Sequence, residues 1–313
     1  MAEHSRLSMR LSEQLASGFR TRFAPAPTGR LHLGHAVNAV FVWSIAQAFH
    51  GSVIVRIEDH DRLRARPHFE GQILEDLDWL GLPGDNAACG LPMPIRQSER
   101  SAAYEAALLK LAQTGETYAC RCSRREVAAA GTGSSDTPNV AELRYPGTCR
   151  SAAVSDGDTP ARRLRLPDDA VSFDDLRHGS TRQVPEKQCG DLLLRDRLSQ
   201  WTYQFAVVVD DLAQGVGLIV RGDDLLASTG RQLLLRRQLS DSPPPLMLHH
   251  PLLLKSDGTK LSKSSGDTAL AELRASGWSA ARVLGHAAWL GGLQASAGPI
   301  EPGTLGTLWN AAG

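Results

Sequence analysis

The 313-residue chain has no apolar stretch of the roughly 20 residues that a bilayer-spanning helix needs, so no transmembrane helix is read from it. Its first twenty residues carry Glu3 and Glu13 and lack an apolar run; they are read as neither a secretory signal nor an anchor. Cysteine is sparse and odd in number. Five in a chain of this length argue against a disulfide framework and for a reducing cytoplasm. Net charge is absent too: 34 Lys+Arg balance 34 Asp+Glu, which removes any global pull toward nucleic acid. Three local basic clusters remain (Arg62, Arg64 and Arg66; Arg121, Arg124 and Arg125; Arg231, Arg236 and Arg237), and each read alone is a solvated face. There is no internal repeat.

What the chain does have is an alternation. Residues 18–24 read as a short strand, 34–49 as a helix with Val37, Val40, Phe41, Ile45 and Ala48 on one face, 52–57 as an apolar strand, and 69–80 as a second helix stopped by Leu82-Pro83-Gly84. This rhythm predicts an α/β fold with a parallel sheet covered on both faces, whose ligands lie beyond the carboxyl ends of the strands. Residues 101–112 continue it as a helix. From 118 to about 190 the rhythm breaks into short strands around a Gly/Ser/Thr-rich stretch at 131–138, read as an insertion between two halves of the sheet. Residues 203–210 then read as a very apolar strand, 217–221 as another, 225–239 as a helix, and 252–254 as a short strand after the breaker Pro243-Pro244-Pro245. Residues 266–313 read as mostly helical.

Two distant segments carry chemistry. Arg22-Phe23-Ala24-Pro25-Ala26-Pro27-Thr28-Gly29 runs into His32-Leu33-Gly34-His35 at a strand-to-helix turn. The prolines stiffen the turn, Gly34 removes a side chain, and the opening helix turns backbone N–H groups and its positive end toward whatever lies above. His32 and His35, three apart, suit donation to phosphate oxygens; capping the turn is the alternative role. The second segment, Gly258-Thr259-Lys260-Leu261-Ser262-Lys263-Ser264, is a Gly/Ser-rich loop whose two ammonium groups suit the β- and γ-phosphates of a nucleotide. Alone it would read as an exposed lysine loop.

These residues resemble the two signatures of class I aminoacyl-tRNA synthetases. Arg56-Ile57-Glu58-Asp59, the 203–211 segment Tyr-Gln-Phe-Ala-Val-Val-Val-Asp-Asp, and Val220-Arg221-Gly222-Asp223-Asp224-Leu225 bring the resemblance to the glutamyl branch, over residues 19–266. It implies a Rossmann-like catalytic domain with an inserted zinc-containing subdomain and a small helical C-terminal segment. On that basis the chain is expected to divide into an N-terminal extension (1–18), a first catalytic half (19–117), the inserted subdomain (118–195), a second catalytic half (196–255), and the lysine loop with the C-terminal segment (256–313). The resemblance further implies that Arg22, Phe23, Ala24, Pro25, Ala26, Glu58, Tyr203 and Arg221 surround L-glutamate. It also implies that His32, Gly34, His35, Lys260 and Lys263 hold ATP with Mg²⁺, the two histidines and two lysines acting in catalysis. The charges suit a substrate with two carboxylates and one ammonium: Arg22 and Arg221 for carboxylates, Glu58 for the ammonium, the Tyr203 hydroxyl as a donor. A structural ion pair is the other role open to Arg221 and Glu58. Ala24 stands where the family often has serine. Asp61, Asp223 and Asp224 are left unassigned.

Cys120-Arg121-Cys122 and Tyr145-Pro146-Gly147-Thr148-Cys149 gather three cysteines in the insertion, with Cys89 and Cys189 apart from them. Three thiolates close in space bind zinc tetrahedrally with a fourth ligand, for which the Tyr145 phenolate is a candidate; three reduced buried thiols are the alternative. The C-x-C and Y-x-x-x-C pattern resembles the glutamyl-Q tRNA(Asp) synthetases, which carry one structural Zn²⁺. Only 49 residues follow Ser264, too few for the usual all-helical anticodon domain of glutamyl-tRNA synthetases. The resemblance thus implies a monomeric, cytoplasmic ligase that activates glutamate with ATP and passes it to queuosine in tRNA(Asp), with no membrane contact. A truncated glutamyl-tRNA synthetase, a non-catalytic nucleotide- or RNA-binding paralogue and a small-molecule ligase are the competing readings.

Overall fold

A computed structural model describes residues 2–130, 143–152, 161–253 and 268–310. In chain order its elements are α1 (Ala2–Gln14), β1 (Arg20–Phe23), α2 (Leu33–Ala48), β2 (Ser52–Ile57), α3 (Pro67–Leu80), β3 (Ile95–Arg96), α4 (Ser101–Ala112), β4 (Thr117–Cys120) and α5 (Arg124–Ala130). There follow β5 (Ala161–Leu164), β6 (Val171–Asp175), β7 (Gly179–Gln183), α6 (Pro185–Cys189), β8 (Leu192–Arg195), α7 (Tyr203–Ala213), β9 (Leu218–Gly222), α8 (Thr229–Leu239), β10 (Leu246–His250), α9 (Leu270–Ala275), α10 (Ala280–Leu290) and a 3-10 segment, Pro302–Trp309.

Two sets of parallel strands carry the site. β1, β2 and β3 form one, in that order; β7, β6, β10 and β9 form the other, with only β7 antiparallel. They meet where β1 lies beside β9: Gly217 N–H donates to the Arg20 carbonyl (2.9 Å) and Arg22 Nη1 to the Val220 carbonyl (3.2 Å). Alternation along β9 sends Leu218 and Val220 to the face covered by α2, α3 and α10, and Ile219 to the face covered by α7 and α8. The chain therefore leaves β1 toward one face and β9 toward the other, which opens a crevice between their carboxyl ends.

Helix α2 is apolar on nearly every side, as a helix enclosed by others must be. Val40, Phe41, Val42 and Ile45 are fully buried, and each such side chain contributes roughly 1.5–3 kcal/mol. α1 joins this core through Leu7 and Leu11, and its Ser8 hydroxyl donates to the Trp309 carbonyl (2.9 Å). Among the described residues no helix is long and apolar enough to cross a membrane.

Three expectations need correction. Residues 203–210 form helix α7, not a strand; the run Phe205–Val209 looks strand-like because the helix is buried all round and so shows no 3.6-residue alternation. The last parallel strand is β10 at Leu246–His250, so 252 and 253 lie beyond it in irregular chain. Arg231 is 2 % exposed and so does not belong to a solvated face, whereas Arg237 of the same cluster is exposed. The 118–195 stretch serves two sheets: β4, β5 and β8 pair antiparallel with one another, whereas β6 pairs parallel with β10.

Candidate active site

A cavity of about 570 Å³ opens at the β1/β9 crevice. Arg22, Phe23, Ala24, Pro25 and Ala26 line it from the end of β1, Glu58 from β2, Tyr203 from the start of α7, Arg221 from β9, and His32, Gly34 and His35 from the start of α2. Every described residue expected to touch glutamate or ATP is thus on one wall or another of a single space. Lys260 and Lys263 lie outside the described residues. The flanking residues Leu253, which lines the cavity, and Ala269, which bridges to His32, put both described ends of that segment at the site.

The β1–α2 turn is anchored to β2: Glu58 N–H donates to the Pro25 carbonyl (3.1 Å). His32 caps α2. Its Nδ1 accepts from Gly34 N–H (3.1 Å), and its own N–H donates to His35 Nδ1 (3.2 Å). With both Nδ1 atoms accepting, each neutral ring carries its hydrogen on Nε2. Capping and phosphate donation are therefore compatible roles rather than alternatives. Gly34 matters for a local reason: a Cβ there would fall 2.9 Å from His32 Cε1.

Beneath the cavity floor lies a buried ionic lattice. Asp211 accepts from Arg22 Nε (3.2 Å) and Arg56 Nη1 (2.8 Å), and Arg56 Nη2 reaches Glu58 (3.2 Å). Neighbouring Asp210 takes Gln97, Arg100 and the Tyr104 hydroxyl. Burial would raise the Asp211 carboxyl, but Arg22 and Arg56 outweigh it and hold it below the usual range. At Glu58 burial wins over Arg56 and raises the carboxyl. Burial, reinforced by Glu58, also pushes the Tyr203 phenol up.

Arg221 is different. It is 4 % exposed, and its three described hydrogen bonds go to neutral groups: His249 Nε2 (2.9 Å), Gln232 Oε1 (2.6 Å) and Thr229 Oγ1 (2.8 Å). Among the described residues it has no carboxylate partner. His249 is turned by Asp175, which takes its Nδ1 hydrogen (2.7 Å) and so leaves Nε2 to accept from Arg221. Burial lowers the His249 imidazole against the pull of Asp175 and keeps it neutral, and burial likewise lowers Arg221 itself. Of its five N–H donors, Arg221 commits three to these partners. The alternative of a structural ion pair between Arg221 and Glu58 is not realised among the described contacts; Glu58 pairs with Arg56.

The second cluster lies off the end of β4. The Cys120, Cys122 and Cys149 sulfurs lie within 4.8 Å of one another, and Cys122 Sγ is 3.6 Å from Cys149 Sγ. The Tyr145 hydroxyl sits 3.4 Å from Cys120 Sγ and 3.9 Å from Cys122 Sγ, and accepts from Cys149 N–H (2.8 Å). Arg163 lies over the Tyr145 ring (3.7 Å to its centroid) and donates to Cys120 Sγ (3.3 Å). A tetrahedral zinc site with Zn–S bonds of roughly 2.3 Å has S···S edges of about 3.8 Å, so the four side chains fit a metal of that size.

Comparison with known proteins gives the family. The family model "tRNA synthetases class I (E and Q), catalytic domain" matches residues 18–290. A glutamyl-Q tRNA(Asp) synthetase of Symbiobacterium thermophilum is 43 % identical over 91 % of this chain and 90 % of its own length. The chain belongs to the glutamyl-Q tRNA(Asp) synthetase family of class I tRNA synthetases. A further member of this synthetase family, from Xanthomonas oryzae pv. oryzae, is 46 % identical over 80 % of the chain and 76 % of its own length. A glutamate tRNA ligase from Elizabethkingia meningosepticum, solved with its amino acid, superposes with a TM-score of 0.73 at 26 % identity over 87 % of this chain. The chain spans 60 % of that ligase's length. Family membership makes the protein an aminoacyl-tRNA synthetase-like ligase.

The sequence reading gave no role to Arg56, Asp211, Asp175, His249 or His60. Arg56 and Asp211 sit within segments quoted for the resemblance, and a charge inside an apolar run was their signal. Nothing in the sequence announces that Asp175 and His249 meet.

Proposed function

We propose that the chain activates L-glutamate with ATP, without needing tRNA, and transfers it to queuosine at the wobble position of tRNA(Asp), as a monomer in a reducing cytoplasm. The observation that carries this reading is Arg221, a buried cation on the cavity wall whose described partners are all neutral. A buried charge with no carboxylate in hydrogen-bond contact is costly, Asp211 acting on Arg221 only at longer range, and a substrate carboxylate would relieve that cost. Glu58 is placed for the substrate ammonium, and Arg22 keeps N–H donors beyond those given to Asp211 and Val220. Activation is attack of the glutamate α-carboxylate on the α-phosphorus of ATP, with pyrophosphate leaving. The Nε2–H groups of His32 and His35, the α2 N-terminus, and Lys260 with Lys263 stabilise the departing charge. Mg²⁺ brought in with ATP would neutralise part of that charge.

One zinc ion held by Cys120, Cys122, Tyr145 and Cys149 would cross-link β4 to the 145–149 turn, with Arg163 offsetting the thiolate charge. The names of the relatives support the acceptor.

The test is glutamate-dependent ATP–pyrophosphate exchange without tRNA, followed by transfer of labelled glutamate to tRNA(Asp) with and without queuosine and to tRNA(Glu). Labelling that ignores queuosine would favour a truncated glutamyl-tRNA synthetase. Lys263→Ala is expected to slow exchange by about 100-fold or more while leaving glutamate binding nearly intact; exchange at the wild-type rate would remove the lysine loop from the mechanism.

A further inference from the structure

A second cavity of about 200 Å³ adjoins the first, and His60 lines both. The volume is below the roughly 300–1,000 Å³ of ordinary ligand pockets, enough for one hydroxylated ring but not a whole nucleotide. Its walls are polar: Arg62 and Gln97 beside His60, Ser101 at the start of α4, and Ser199 and Trp201 from the loop after β8. That loop is held under strain. Ser199 takes a left-handed backbone (φ 59°), unusual for a residue with a side chain, and Asp196 Oδ1 fixes the turn by accepting from Leu198 and Gln200 N–H (2.8 Å each).

The shared wall is chemically poised. Gln97 gives its amide N–H to Asp210 Oδ2 (2.8 Å), so its carbonyl oxygen faces His60 Nδ1 at 2.6 Å. The neutral His60 ring therefore carries its hydrogen on Nδ1 and keeps the Nε2 lone pair. The charged or titratable groups around this ring are Glu58 on the same segment, Tyr203 on α7 (ring centroids 6.3 Å apart), Arg64 and Arg62 on the two cavity walls, and Asp210 through Gln97.

We propose that the second cavity receives a diol-bearing five-membered ring of the RNA acceptor and that His60 Nε2 takes the proton of the attacking hydroxyl. This rests on the functional reading above. In the step, the hydroxyl oxygen bonds to the carbonyl carbon of the glutamyl-adenylate, and the bond from that carbon to the phosphate oxygen breaks. AMP departs with the electron pair, and the proton passes to His60 and then to water. The adenylate made in the first cavity supplies the acyl group, so no other reactant is needed. Such a ring occurs both in queuosine and in the 3′-terminal ribose of a tRNA.

Ser101→Trp, at an exposed helix start, fills the cavity from its rim; His60→Gln keeps a polar side chain but accepts no proton at neutral pH. Both are compared with wild type for transfer per adenylate formed, with queuosine-bearing tRNA(Asp) and with tRNA(Glu), after thermal denaturation establishes that each is folded. The expected result is a loss in transfer more than about tenfold greater than any loss in exchange. The tRNA that shows the loss identifies the source of the ring. Equal losses in exchange and transfer for both variants would overturn the proposal. Wild-type enzyme that activates glutamate but labels neither tRNA would overturn the functional reading, and the acceptor site with it.

Discussion

Arg22 and Arg221 face the same cavity from adjacent strands and are equally buried, at 4 % exposure each, yet their surroundings are opposite. Arg22 is tied to a carboxylate, and through Asp211 to Arg56 and Glu58. Arg221 is surrounded by an imidazole, an amide and a hydroxyl. The first arrangement satisfies its charge from within and holds β1, β2 and α7 in register. The second is fixed in direction but left electrostatically open. Burial alone therefore does not separate a scaffold charge from a receptor charge; the identity of the partners does.

The contrast can be broken from either side. Arg221→Met should have the largest effect, lowering kcat/KM for glutamate-dependent exchange by about 10²–10⁴, as expected for two charge-assisted hydrogen bonds of roughly 1.5–3 kcal/mol each. Its stability in urea should fall less than that of Asp211→Asn, because the unbalanced charge leaves with the side chain. Asp211→Asn should lose about 3–5 kcal/mol in the same titration, since it strands two buried guanidinium groups. A reversed order of stabilities would erase the distinction.

Acid probes the two buried imidazoles of β10, His249 behind Arg221 and His250 stacked on Phe41. Burial lowers His250 from 6.5 to about 4. Between those values the unfolded chain binds a proton that the folded chain does not. The His250 contribution is therefore full above about pH 6.5 and falls by about 3 kcal/mol as pH drops toward 4, while Asp76, whose carboxyl burial raises to about 6, acts in the opposite sense over the lower part of that window. His249 is shifted the same way, whereas the lowered carboxyls Asp175 and Asp211 lose their contribution only below their unfolded value of 3.8. The difference in urea stability between wild type and His250→Gln should therefore shrink as pH falls from 6.5 toward 4. The smallest effect concerns the thiol cluster. Wild type should contain about one zinc per chain by metal analysis, and Tyr145→Phe should weaken retention against a chelator by about tenfold, or about 1.4 kcal/mol. A wild-type protein without zinc would leave the cluster as three reduced thiols.

Much of this was legible in the primary structure. The β1–α2 turn, β2, α4 and β9 follow from apolar runs, prolines and glycines, and the crevice follows from strand–helix alternation. Helix α7 was misread because a helix enclosed on every side loses the periodicity that distinguishes it from a strand. The relay Asp175–His249–Arg221 was invisible because it joins an inserted stretch to the sheet through β6 and β10, a pairing across 74 residues from Asp175 to His249 that no local pattern encodes.

The indole of Trp309 donates to Ser44 (2.7 Å) on α2, while Ser8 of α1 holds the same residue's carbonyl. Ser44 lies nine positions beyond His35 on one rigid rod. The clasp thus works as a rotational stop: a helix free to roll about its axis would swing both imidazoles off target, and the indole blocks that roll from the far end. On the proposed reading, the aim of His32 and His35 at a nucleotide is set more than two helical turns away from them.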